Sequence, residues 1–157
     1  MIKTVNTTCL LLLLFSQITL AKKPQELFWE DMVPPNYQTP DTPLNHDGNM
    51  LQMGLDAPVI ESLNGKLVKI PGFVVPLEGD NETTSEFLLV PYFGACIHVP
   101  PPPANQIVYV KFSAAVPIDD LYDAVWVTGT ITTEGWKGDL ATVGYSLSGV
   151  SVSPYDG

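Results

Sequence analysis

The chain contains no arginine, and its seven lysines stand against 17 aspartates and glutamates. A protein that grips nucleic acid needs cationic side chains to displace the counterions of the phosphates, so this composition excludes that class of partner. The same shortage works against anionic lipid surfaces, and the negative field modestly concentrates cations instead. Cysteine is equally scarce, with Cys9 and Cys96 alone. No stretch keeps a 3.6-residue apolar period, which excludes a helical bundle. There is no phosphate loop, no Gly-rich dinucleotide turn, no Gly-x-Ser-x-Gly elbow and no paired-histidine helix motif. Asp119, Asp120 and Asp123 lack the glycine and ligand spacing of a calcium loop and read as a solvated turn.

What is present begins with a leader over residues 1–21. Lys3 supplies a positive start, Leu10 to Phe15 an apolar centre, and Thr19-Leu20-Ala21 small residues at a cleavage point. The apolar run is too short to span a bilayer and ends at Lys22-Lys23-Pro24. Cys9 lies within the leader rather than at its end, so it leaves with it and serves as no lipid anchor. The expectation is an exported, periplasmic protein with no membrane span after cleavage. It would retain six lysines against 17 acidic residues, a net charge of −11. A mature chain of roughly 136 residues is enough for one domain with a true core. With one cysteine it has no internal disulfide, so Cys96 must be buried, ligated or paired with a partner.

Residues 22–64 read as an irregular extension. Leu27 to Val33 suggests one helical turn with its aromatics inward, stopped by Pro34-Pro35, and the Pro-, Asn-, Asp- and Thr-rich stretch from Tyr37 to Asn49, which holds His46, reads as a loop. Residues 65–157 read as a β domain. Strands are expected over Leu67–Leu77, Glu86–Pro91, Ile107–Ala114 and Val125–Thr132, with one bent strand or two short ones between Leu140 and Tyr155. Pro71-Gly72 marks a bend inside the first of them. About five strands broken by Gly, Pro and Asn turns predict a small OB-like five-stranded barrel, with a β-sandwich as the alternative.

The chemistry gathers between the second and third strands, in Tyr92-Phe93-Gly94-Ala95-Cys96-Ile97-His98-Val99 followed by Pro100, Pro101, Pro102, Pro103, Ala104, Asn105 and Gln106. Proline fixes φ and lacks an N–H, so the four-residue run is expected to be a stiff polyproline arm. If Ala95 to Val99 stays extended, Cys96 and His98 point to the same side. A thiolate with an imidazole suits zinc or another soft metal. A third ligand would come from Glu78, from His46 or from a partner protein. The same pair could instead form a Cys/His thiol enzyme, with Asn105 or Asn81 orienting the imidazole. The third reading is an interaction module in which Tyr92, Phe93, the proline arm, Asn105 and Gln106 form a docking surface, with Tyr109 and Trp126 as further aromatics on the barrel.

Two stretches, Gly72-Phe73-Val74-Val75-Pro76-Leu77-Glu78 and Glu86 through Val110, resemble an exported proteobacterial family, a lipoprotein-like domain of unknown function. The resemblance extends over nearly the whole mature chain, including Trp29-Glu30-Asp31 and Val125 to Thr130, and its most specific part is the Cys-x-His-x-Pro-Pro-Pro-Pro run. It implies a companion of divalent-metal transporters, zinc systems especially. Relatives with a lipid anchor carry a cysteine at the end of the leader, and this chain has none there. The combined expectation is a periplasmic accessory protein handling zinc beside a transporter or another periplasmic protein, with no catalysis of its own.

Overall fold

The computed structural model describes residues 22–38, 51–80, 82–117 and 123–156. Residues 1–21, read above as a leader, and His46, Asn81, Asp119 and Asp120 lie outside them. Eight strands appear among the described residues: β1 (Gln25–Glu26), β2 (Leu67–Gly79), β3 (Thr83–Val90), β4 (Val108–Pro117), β5 (Val125–Thr132), β6 (Trp136–Lys137), β7 (Thr142–Val143) and β8 (Tyr145–Pro154). Five of them close into a ring in the order β2-β3-β4-β8-β5 and back to β2. Every pairing in the ring is antiparallel except β4 with β8. This is the small OB-like barrel that the strand spacing predicts.

The 13-residue β2 makes closure possible by changing partners along its length. Leu67 to Gly72 pairs with β5, and Phe73 to Gly79 pairs with β3. The handover falls at Pro71-Gly72, where the sequence signals a bend. Gly72 is required there because a Cβ would sit 2.7 Å from the Val90 carbonyl oxygen.

Alternation sorts the side chains of β3 to two sides. Phe87 and Leu89 belong to the barrel core with Val68, Ile70, Val110 and Val127. Leu88 and Val90 belong to a second core with Val75, Ala95, Cys96 and Ile107. All four β3 side chains are fully buried. The continuous apolar run Phe87-Leu88-Leu89-Val90 is therefore the signature of a strand covered on both faces.

The N-terminal extension is part of the barrel's packing. β1 adds to β2 in parallel, and Leu27, Met32 and Leu63 enter the barrel core. The Trp29 indole Nε1 donates to the Pro71 carbonyl at 2.8 Å. Tyr145, wholly buried, holds the extension from inside. Its hydroxyl donates to the Met32 carbonyl at 2.8 Å and accepts from the Ile60 N–H at 2.7 Å.

Tyr145→Phe keeps the ring and strands both backbone groups, and an unsatisfied buried group costs about 1–3 kcal/mol. Urea unfolding of the variant should show a loss of that size with an unchanged far-UV spectrum. A midpoint equal to the parent's would show that the hydroxyl does not hold the extension.

Candidate binding groove

Beyond Val90 the chain turns sharply. Gly94 has φ +82°, in the left-handed region that glycine enters freely, and Cys96 follows at φ +65°. The N–H groups of Ile97, His98 and Val99 all point to the Gly94 carbonyl, at 3.2, 2.8 and 3.2 Å. A non-glycine residue in this region costs on the order of 1 kcal/mol, and burial of the Cys96 side chain offsets that cost. The extended Ala95–Val99 geometry expected from sequence is thus replaced by a tight turn. The turn separates the two side chains that an extended strand would align. Cys96 is 4% exposed, within the second core, whereas His98 is exposed and lies over Gly94.

This arrangement does not assemble the expected metal ligands. Glu78 is exposed at the end of β2, opposite Glu86 in the ladder. Among the described residues no three of His, Cys, Asp and Glu are gathered so as to hold a metal ion, so Cys96, His98 and Glu78 do not form one group. Burial also pushes the Cys96 thiol up from 9.0 to about 11. Metal ligation and nucleophilic attack both use the thiolate, which this environment disfavours.

The proline arm runs inward as well. Pro101, Pro102 and Pro103 are buried and Pro100 is half-buried. A polyproline backbone leaves its carbonyls unpaired, and here side-chain amides serve the segment. Gln52 Nε2 donates to the carbonyls of Pro102 (2.8 Å) and Thr142 (2.7 Å), while its oxygen accepts from the Thr142 N–H. Gln106 Nε2 donates to the Trp29 carbonyl at 2.8 Å, and Asn105 Nδ2 to that of Pro58 at 2.9 Å. The Asn105 Oδ1 is buried without a protein partner. Pro101 to Pro103, Asn105 and Gln106 therefore clasp the extension to the barrel rather than present a surface. The apolar rings fill space and the amides satisfy backbone groups, so the segment is stable when buried.

What the turn does present is apolar. Tyr92, Phe93 and Ile97 are 44%, 50% and 50% exposed. Phe93 and Ile97, with Gly94 and His98, form one wall of a groove of about 270 Å³ whose other wall is Phe73, Val74 and Pro76 of β2. The Phe73 and Phe93 rings meet edge to face at 6.0 Å. Tyr92 and Phe93 were legible as candidates in the sequence. Ile97 and the β2 wall were not, although Gly94 directly after two aromatics is the signal of the turn that exposes them.

A second, wider cleft of about 510 Å³ shares Pro76 with this groove. Glu78 and Glu86 line one side, and Trp136, Asp139 and Leu140 of the β6–β7 hairpin line the other. Trp136 stacks on Tyr109 with centroids 4.8 Å apart and planes 3° from parallel. The Tyr109 hydroxyl donates to Glu86 Oε2 at 2.7 Å, and Lys111 pairs with the other carboxylate oxygen. Lys111, and then Tyr109, hold the Glu86 carboxyl below its ordinary range.

The fold is a small OB-like barrel with a loop-built groove at its side. Residues 29–154 match the model of the DUF3299 family, a protein of unknown function. The chain belongs to that family. It is similar to the crystal structure of a DUF3299 family protein from Pseudomonas aeruginosa PAO1, with 43% sequence identity and a TM-score of 0.77. That match covers 86% of this chain and 98% of the other. No curated protein matches the chain.

Because only the thiolate reacts, iodoacetamide should label Cys96 in a folded protein of residues 22–157 at pH 8 well over tenfold more slowly than in the same chain unfolded by urea. The raised folded pKa means that the neutral thiol contributes stability below about pH 9, and that this is lost as pH climbs toward about 11. Equal labelling rates in folded and unfolded protein would contradict the buried placement.

Proposed function

We propose that this protein is an exported, non-enzymatic interaction module that docks a protein partner at the groove between β2 and the Tyr92–His98 turn. One observation carries the reading: a turn fixed by two left-handed residues holds Tyr92, Phe93 and Ile97 in solvent. Large apolar side chains displayed together on a rigid scaffold mark a recognition surface more often than a chance of packing. The amide clasp beneath supports it, because a surface already ordered loses little entropy on binding. A thiol walled in by Leu88, Val90 and Ile107 supports binding over thiol catalysis. Zinc handling, which the family resemblance suggests, has less support, since its three nominated ligands do not converge. The leader over residues 1–21 supports export and hence a partner in the cell envelope.

A photo-cross-linking residue at Ile97, compared with one at Val150 on β8, tests the reading in cells that carry the protein. Val150 is 66% exposed and serves as a second apolar surface position. A discrete envelope protein should be captured from position 97, not from 150, and should be lost in a Tyr92→Ser, Phe93→Ser variant that unfolds at the parental midpoint. No adduct, or the same adducts from both positions, would reject the groove as a docking site.

A further inference from the structure

β2 meets β5 only through Leu67 to Gly72, and the last of those pairs is Gly72 with Val125. From Phe73 onward the strand pairs on one side alone, with β3. The alternation of a strand fixes where its main-chain groups point. The Lys69 and Pro71 carbonyls turn away from β5, to the Leu27 N–H and the Trp29 indole. Phe73 and Val75 turn the same way, to β3. The N–H and carbonyl of Val74 and the carbonyl of Pro76 therefore point to the opposite edge, which has no strand partner beyond Gly72 among the described residues. A proline in mid-strand agrees with this, because its missing N–H is tolerated on an unpaired edge. The register shift of β2 falls after it, between Pro76 and Glu78.

The apolar groove runs along this edge. Phe73 packs on the second core and Val74 in the barrel core, on opposite faces of β2, yet both line the groove. A cavity on one face of a strand does not touch both, and β3 occupies the other edge. Unpaired main-chain groups of a residue only 5% exposed thus border a cavity whose far wall is Phe93 and Ile97. Backbone groups in such a place favour a ligand that brings backbone donors and acceptors of its own. The groove lining holds no carboxylate, in a chain with 17 acidic residues, so it complements uncharged apolar side chains.

We infer that the partner docks by strand addition: an extended segment of it pairs with Val74 and Pro76 of β2 and sets alternate apolar side chains against Phe93 and Ile97. In such pairing the main chain supplies affinity and the pockets for alternate side chains supply selectivity. This rests on the interaction reading above and adds the form of what is recognised, an extended backbone rather than a helix.

Amide exchange followed residue by residue by NMR, on a protein of residues 22–157, tests the edge. The Val74 amide should exchange about tenfold or more faster than those of Phe73 and Val75, which the ladder holds. Equal protection of the three would overturn the inference. A random peptide library displayed on phage and selected on the same protein tests the ligand. Enriched peptides should carry apolar residues at alternate positions, and a synthetic peptide of that sequence should slow exchange at Val74. N-methylation of one of its edge-facing amides should lower affinity about tenfold or more, while N-methylation of the next amide along leaves it unchanged. Peptides lost on Ile97→Asp but indifferent to N-methylation at every position would remove strand addition and leave the interaction reading standing. No enrichment, or peptides that Ile97→Asp leaves bound, would overturn both. Val74 protection that rises with protein concentration alone, beside a dimer in sedimentation, would assign the edge to a second copy and overturn the inference equally.

Discussion

Leu88 and Val90 face away from the barrel interior and are nevertheless fully buried, because the long connections between ring strands fold back to cover them. Two aliphatic side chains of that size are each worth about 1.5–3 kcal/mol when removed from water. The cover consists of Ala95 and Cys96 from the turn, Ile107 after the proline arm, and Ala141 and Val143 of the β6–β7 hairpin. Each covering element lies on a connection between ring strands, so the connections are committed to packing before they are available for function.

The consequences for the site follow from that commitment. Directing Cys96 inward requires the chain to reverse within a few residues, which Gly94 and the positive φ of Cys96 accomplish. The same reversal sends Phe93, Ile97 and His98 outward. Burial that protects the thiol and exposure that builds the groove are two outcomes of one backbone bend. The proline arm then carries the chain beneath the extension, where Gln52 donates to the Pro102 carbonyl while Asn105 and Gln106 donate to the carbonyls of Pro58 and Trp29. Asn105 retains an acceptor without a protein partner, a place suited to one buried water.

The barrel was legible in the sequence because strand information is local. Val125–Thr132 was bounded as it stands, and the Pro71-Gly72 bend was readable from residue type alone. The strands on either side of the corner were placed to within a few residues. The corner itself was not legible. Nothing in residue type indicates that a cysteine will adopt a left-handed backbone, so the two-residue alternation of a strand was extended one turn too far. Proline identity announces stiffness but not burial, which here depends on Gln52 and Thr142 at distant points of the chain. The two-residue strands β1 and β6 also escaped notice, being defined by pairing rather than composition. Glu78 was noticed for its place at a strand end; its cross-strand partner Glu86 emerged only with the register.

The central claim is that the bend at Gly94 both seals the thiol and opens the groove, and Gly94→Ala addresses it most directly. A Cβ at Gly94 meets the His98 side chain at an ordinary 3.5 Å, so the substitution acts through backbone strain at φ +82° rather than through a clash. The measurement is the rate of Cys96 reaction with a disulfide reagent, read beside the urea midpoint. The account predicts a stability loss of about 1–2 kcal/mol together with a faster thiol reaction at the same pH. Parental stability with a parental reaction rate would show that the left-handed turn is not what holds this corner, and the account of the groove would fall with it.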